Sequence, residues 1–403
     1  MQSITKAVRS DCRLNVLEVI GNAGMGGMEN YIKSFISNLP SDQFRVTCVC
    51  PCESSFTDSL RKLGVEEVFI TPIEDDPAWR SIQLTAEVAR LHQIDVLHAH
   101  MPKAHVLAGL ASCLIHKPVA ATVHGMNVTS HELGITRAVG SHLITNCQEA
   151  FTQALAMGVP AERVNLVRNG VDIEAFIPGD SGEEFRNFIG VPLNTPLVGY
   201  VGRLEHEKGP DLFLRAAEYV KHLRPDVHFV MVGAGNMRDH LREMCINMHL
   251  ESQVHFTGWY ANTAKIYTAL DLLAHTSRSD GTSLVLLEAM ASACPVVGLA
   301  VGGGREIIEN ESTGLMAGAG DWEGLGMKII QLLEEPERLK TMGTLARARV
   351  VHYFNVATNT RGTAAVLRSL ATEANVQRLG SNGSNSTVSR EVDGRVSFDR
   401  SRG

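Results

Sequence analysis

The sequence has 403 residues, of which 44% are hydrophobic, 20% charged and 5% aromatic; it can bury a large core and is longer than one ordinary domain. A formal charge of −7 gives no overall attraction for nucleic-acid phosphates or anionic lipid, so no nucleic-acid partner is expected. Eight cysteines are too few for a disulfide scaffold in a chain of this length.

The opening, MQSITKAVRSDCRLNVLEVIG, carries early basic residues but no continuous apolar core and no small-residue cleavage site, so it does not read as a secretory signal. No apolar run reaches the roughly 18 residues that a membrane-spanning helix requires. A cytoplasmic protein is expected. Strand-length apolar runs then recur with helical stretches between them: LNVLEVI, RVTCVC, EEVFIT, DVLHAH, PVAATVH, HLITN and VNLVRN. A second series follows: PLVGYVG, VHFVMVG, VHFTGW, DLLAHTS, PVVGL and GLMAG. Apolar strands without polar alternation are covered on both faces, and helical crossovers between them imply parallel sheets. The fold class is α/β, twice over.

Between the two series, residues 173–196 mix Pro, Gly and acidic residues around a short helix-like segment, which predicts a boundary between an N-terminal domain, 1–180, and a C-terminal one, 181–354. The stretches PERLKTMGTLARARVVHYF and NVATNTRGTAAVLRSLATEA favour helix. The last residues, 375–403, are rich in Gly, Ser and Asn towards the end and are expected to form a disordered tail.

Several segments can carry chemistry. In RVTCVCPC, Cys48, Cys50 and Cys52 alternate on one face of an extended run, but no His or fourth Cys stands at zinc-like spacing, and reduced thiols are the better reading. Cys12, Cys113, Cys147, Cys245 and Cys294 are scattered singly in apolar contexts. The first strand runs into GNAGMGGMEN, where Gly24, Gly26 and Gly27 let backbone pass close to a ligand before a helix starting near Met28 or Glu29. Neither this turn nor the one from Gly233 to Arg238 completes G-x-G-x-x-G, so NAD binding has little support, and a plain strand-to-helix connection is the alternative.

In VGRLEHEKG, Arg203 follows a strand and Lys208 precedes a helix; together they suit a diphosphate, although either could be a solvated surface charge. In HTSRSDGTSLVLLEAMASACPVVG a strand stops at a polar loop. Gly281, Thr282 and Ser283 can present amides and a helix cap, while Asp280 and Glu288 bring two carboxylates near one helix N-terminus. Carboxylates there can accept hydrogen bonds from sugar and ribose hydroxyls without a metal. The alternative is that Asp280 caps the helix and Glu288 pairs with a neighbour. His98 and His100 share a strand face and could be imagined as a metal pair, and His124 ends the strand PVAATVH.

In order, GMGGME, DVLHAHMP, TVHG, NGVD, GRLEHEKGPD, a VGAG turn and S-x-S-D-G-T-S-L-V-L-L-E-A-M-A resemble the motif series of glycosyltransferase family 4, spanning residues from about 13 to 355. The resemblance implies a GT-B fold, two Rossmann-like domains with parallel sheets facing a central cleft. The donor would sit mostly on the C-terminal domain and the acceptor mostly on the N-terminal one, with a final helix, 355–374, crossing back. It implies metal-independent, retaining transfer of a sugar from a nucleotide diphosphate, UDP being the common donor, in polysaccharide, lipopolysaccharide or glycoconjugate biosynthesis. No cofactor is implied, and because the DVLHAH strand is ordinary in the family a structural role for His98 and His100 is preferred over a metal pair; the acceptor would be a carbohydrate, a lipid-linked sugar or a small molecule.

By position, Arg203 and Lys208 would grip the diphosphate, Glu288 the ribose and Asp280 the transferred sugar. Gly281, Thr282, Ser283 and Leu284 would complete the donor side; Gly26 and Gly27 would approach from the N-terminal domain, and His124 would stand by the reacting sugar. Asp280 departs from the family's usual Glu, which shortens its reach by about one methylene. Peripheral association with the cytoplasmic face of a membrane fits the resemblance, although the N-terminal half lacks a conspicuous basic amphipathic helix. Two further readings are a nucleotide-sugar 2-epimerase and a non-catalytic sugar-nucleotide-binding protein.

Overall fold

The computed structural model describes residues 12–24, 26–179 and 182–384. The first residues of the opening and the tail beyond residue 384 lie outside this range. Each apolar run forms a strand. The first sheet contains β1 (Leu14–Ile20), β2 (Phe44–Cys50), β3 (Val68–Ile70), β4 (Val96–His100), β5 (Val119–Val123), β6 (His142–Thr145) and β7 (Val164–Leu166). The second contains β8 (Leu197–Val201), β9 (His228–Val232), β10 (Val254–Gly258), β11 (Leu272–His275), β12 (Val296–Leu299) and β13 (Leu315–Ala317).

All strand pairs within the two sheets are parallel, in the orders β3-β2-β1-β4-β5-β6-β7 and β10-β9-β8-β11-β12-β13. In both, the order reverses beside the first strand, so crevices open beyond the C-terminal ends of β1 and β4 and of β8 and β11. Helices cover both faces of each sheet, which is why the strands read as unbroken apolar runs. In the first sheet, Ile32 and Phe35 of the helix Gly27–Asn38 pack on one face, and Ala104, Leu107 and Ala111 of Pro102–Ile115 belong to the core on the other. In the second, Phe213, Ala217 and Val220 of Pro210–Leu223 lie on one side, and Leu286, Leu287 and Met290 of Leu284–Ala291 on the other.

The chain crosses between the domains at Gly170–Val171, ahead of the expected limit at residue 180. Val171 pairs with the returning strand of chain, donating its N–H to Phe354 O at 2.8 Å and accepting from Val356 N at 3.0 Å. A Cβ on Gly170 would lie 2.6 Å from Val356 Cα, so the two crossings can touch only without a side chain there.

The returning helix, Val356–Ser384, buries Val356, Asn359, Thr360, Thr363, Ala364, Leu367, Leu370 and Ala371, a 3.6-residue stripe laid on the N-terminal domain. Asn359 Nδ2 donates to Arg168 O at 2.6 Å, and Thr363 Oγ1 lies 3.3 Å from Tyr31 OH. Residues 375–384, expected in the tail, continue this helix. Cys48 and Cys50 are buried on β2 with thiols pushed up by burial, Cys50 to about 12, whereas Cys52 lies past the strand end and is exposed. Cys12 and Cys113 are exposed too, outside the apolar settings their neighbours suggested.

Candidate active site

The crevices of the two sheets face one another across a cavity of about 350 Å³, within the range of small-ligand sites. Gly27 and His124 line it from the N-terminal domain; Arg203, Lys208, Asp280, Gly281, Thr282, Ser283 and Leu284 line it from the C-terminal one. Gly26 and Glu288 stand outside the lining. A side chain at Gly27 would meet no described atom within 4 Å, so the space over this turn is open to a ligand. The helix it starts, Gly27–Asn38, and the helix Leu284–Ala291 both begin without a capping side chain. Their first-turn amides are thus available to an anion. Ser283, not Asp280, occupies the cap position of the second helix.

Lys208 ends a single 3-10 turn, His206–Lys208, after which Gly209 adopts φ 63° against the carbonyl of Thr276, a close approach that excludes a Cβ. This seats the Lys208 loop on the end of β11. Arg278 locks it there, donating to both oxygens of Asp211 at 2.7 and 2.6 Å and to His206 O at 2.8 Å. Lys208 Nζ then lies 3.0 Å from Asp280 Oδ1, and His275 Nε2 lies 3.3 Å from Oδ2. Burial by itself would raise the Asp280 carboxyl; the His275 hydrogen bond and the Lys208 charge outweigh it and hold the group well below the carboxylate range. Arg203 is more exposed and pairs with Glu207.

Glu288 follows one turn into its helix and accepts a hydrogen bond from the buried Tyr267 hydroxyl at 2.7 Å. Burial pushes its carboxyl up to about 7, against the lowering by Tyr267.

On the opposite wall, His124 Nε2 lies 3.0 Å from His100 Nδ1, and His100 Nε2 lies 2.7 Å from Glu18 Oε2. His98 meets the same carboxylate through Nδ1 at 3.1 Å and Thr122 Oγ1 through Nε2 at 2.8 Å. Glu18, His98 and His100 form the one group among the described residues whose ligand atoms are near enough to share a metal, yet every ring nitrogen of the pair already has a hydrogen-bond partner.

The two walls also touch. Thr282 donates its hydroxyl to Asn146 O, its carbonyl accepts from Asn169 Nδ2 at 2.9 Å, and Asn146 Nδ2 donates to His124 O at 3.0 Å. Glu306 reaches across to Arg168 Nε and to Gln148 N, both at 2.6 Å.

Two sequence families account for these halves. Residues 25–175 match the family described as Glycosyltransferase Family 4, and residues 181–349 the one described as Glycosyl transferases group 1. The 2-deoxystreptamine N-acetyl-D-glucosaminyltransferase of Streptomyces fradiae is 30% identical over 287 residues, 65% of this chain and 68% of its own. The chain belongs to the group 1, family 4 glycosyltransferases. This glycosyltransferase is also 25% identical, over 79% of its length and 87% of the relative's, to the UDP-Gal:alpha-D-GlcNAc-diphosphoundecaprenol alpha-1,3-galactosyltransferase of Escherichia coli. Its GT-B fold matches the crystal structure of Anabaena HepE in complex with UDP and glucose, with a TM-score of 0.78 at 24% identity over 89% of this chain and 100% of that one.

Sequence reasoning about the glycosyltransferase missed His275, Ser277, Arg278 and Tyr267 around the C-terminal wall of the cavity, and Glu18 behind the other. His275 ends the apolar run DLLAH, where a lone histidine carries no sign of its partner. Asn169 was visible only as part of NGVD.

Proposed function

We propose that this glycosyltransferase moves a sugar from a UDP-sugar to an acceptor hydroxyl with retention at the anomeric carbon and without a metal, in glycoconjugate or polysaccharide synthesis. The observation that carries the reading is the Lys208–Asp280 pair, 3.0 Å apart, at the edge of the donor-side sheet and facing His124 across the cavity. A cation that stabilises a leaving diphosphate and a carboxylate that holds sugar hydroxyls belong next to each other there, because the bond to be broken joins those two parts. The UDP-Gal named for the Escherichia coli relative and the UDP bound to Anabaena HepE support uracil as the base.

In the proposed step the anomeric C–O bond breaks and its electron pair goes to the diphosphate oxygen, where Lys208 and Arg203 meet the growing charge. The acceptor oxygen bonds the anomeric carbon from the face the diphosphate leaves, and its proton passes to the departing diphosphate oxygen. Asp280, kept ionised, accepts hydrogen bonds from the sugar. The amides of Gly281 to Leu284 hold the diphosphate, and Glu288 the ribose. The acceptor is a carbohydrate, a lipid-linked sugar or a small molecule met at the cytoplasmic face of a membrane; among the described residues no helix is long and apolar enough to cross one.

Thermal unfolding with UDP, GDP and ADP, each with and without EDTA, tests the site, since a ligand that binds only the folded state raises its stability. A shift with UDP that EDTA leaves unchanged is expected. No shift with any of the three would overturn the donor reading, and UDP release that ignores added acceptors would favour epimerisation over transfer.

Glu288 gives a second test. An ionised Glu288 accepts ribose hydroxyls better than a protonated one, so UDP binding near pH 7 is expected to expel a proton, with affinity rising as pH rises through 7. The unliganded fold responds oppositely: it holds a proton that the unfolded chain has released above about pH 4.5, so this group's contribution falls as pH climbs through 7. Calorimetry in buffers of different ionisation enthalpy reads the proton directly, and Glu288→Gln should abolish the release. Unchanged release in that variant would remove Glu288 from the ribose.

A further inference from the structure

We infer that Glu18, acting through His100, positions His124 as a hydrogen-bond acceptor for a hydroxyl of the donor sugar. The inference rests on the proposed glycosyl transfer and adds to it a positioning residue on the side of the cleft opposite the diphosphate.

The protons are fixed one after another along a buried line of side chains. Glu18, on β1, is fully buried, as are His98 and His100 on β4. Burial alone would raise the Glu18 carboxyl, but the neighbouring His98 and hydrogen bonds from both histidines bring it down to about 2, so it is an anion that can only accept. His100 must therefore donate its Nε2–H across the 2.7 Å contact. Burial also brings His100 down to about 4 and keeps His124 well below the ordinary histidine range, so both rings are neutral, with one proton each. With its proton on Nε2, His100 has a bare Nδ1. The ring nitrogen 3.0 Å away, Nε2 of His124, must then be the one carrying hydrogen. His124 is left with a bare Nδ1 that takes no hydrogen bond from any described residue, on a ring that lines the cavity.

The surroundings hold this arrangement in place. Tyr31, from the helix Gly27–Asn38, presents its ring edge-on to His124 at 5.0 Å between centroids, and its hydroxyl is tied to Thr363 of the returning helix. From the second domain, Gly281 approaches the His124 carbonyl, which also receives the Asn146 amide. The titratable groups facing His124 are thus His100 and Tyr31, with Glu18 and His98 one contact behind. A bare nitrogen suits a hydroxyl, which can donate, and repels a phosphate oxygen, which cannot. His124 therefore serves the sugar, while the cations of the other wall serve the diphosphate.

Two measurements test the chain of protons. Long-range 1H–15N correlation spectra of the 15N-histidine protein, with His100 and His124 assigned by substitution, report ring tautomers without any substrate. The expected result is Nε2–H on both. His124 protonated on Nδ1, or a stoichiometric transition metal in the purified protein with His98 Nδ1 and His100 Nε2 both unprotonated, would overturn the inference. The second measurement uses Glu18→Gln, which has one acceptor where the carboxylate has two and lets His100 reverse its tautomer. His124 is expected to follow to Nδ1–H, with turnover down about tenfold to a hundredfold, as for one hydrogen bond lost in a dry site, and UDP affinity within about twofold. An unchanged His124 tautomer, or a changed one with full turnover, would sink the idea. If the variant does not fold, the wild-type spectrum alone decides. If the protein turns over no donor, the spectra still report, so failure here is separable from failure of the transfer reading.

Discussion

Lys208→Ala is expected to lower turnover by about two to three orders of magnitude, the usual effect of removing one fixed group that stabilises developing charge, while the folded protein melts close to the wild type. Lys208 sits at the end of a one-turn 3-10 segment that Arg278 and Asp211 hold independently, so the loop should survive the loss of the ammonium. The Lys208 ammonium lies 3.0 Å from Asp280, and truncation leaves that carboxylate with His275 and Ser277. Lys208→Arg should rescue poorly, because a planar guanidinium does not fill the position of a compact ammonium. Arg203→Ala should cost less, since Arg203 is exposed and already paired with Glu207. Steady-state kinetics at saturating donor, beside melting curves, decide the matter. Wild-type turnover in a folded Lys208→Ala protein would end the proposed role.

Gly281→Val is expected to separate nucleotide binding from catalysis. A Cβ at Gly281 would lie 2.5 Å from Asn146 Oδ1 and 2.8 Å from the His124 carbonyl, both on the opposite domain. The C-terminal domain itself supplies no atom among these nearest contacts, so its own packing should tolerate the side chain. A branched residue would then act as a wedge, holding His124 away from the C-terminal wall of the cavity. Turnover should fall by about a hundredfold or more, as when catalytic groups are displaced by about an ångström, with UDP affinity largely retained. Solution scattering should report a wider cleft. A wedge variant with normal turnover would show that the contact between Gly281 and the His124 strand is dispensable.

The strands were legible because parallel sheets covered on both faces demand unbroken apolar runs, and LNVLEVI or PLVGYVG admit few other readings. The loops after β8 and β11 were legible as cation and carboxylate carriers, and the structure brings Lys208 and Asp280 into contact across 72 positions of sequence. What could not be read was partnership through space. His275 supports Asp280, Tyr267 holds Glu288, and Glu18 reaches His100 from a neighbouring strand, but each residue lies in an apolar run or helix where a structural role was the natural expectation. The first crossing of the chain escaped for a related reason. Proline, glycine and acidic residues marked 173–196, whereas the crossing itself is a short pairing of Val171 with the returning chain that leaves no trace in composition.

That pairing also decides how the molecule can be divided. Because the chain returns, the N-terminal half is assembled from two pieces, residues up to Gly170 and the helix Val356–Ser384, whose Ala364, Leu367 and Leu370 complete one of its cores. A fragment ending at the first crossing would leave that core uncovered. Chimaeras that exchange N-terminal halves between relatives should therefore be cut twice, once at each crossing, with the last helix travelling alongside the domain it covers rather than the one it follows.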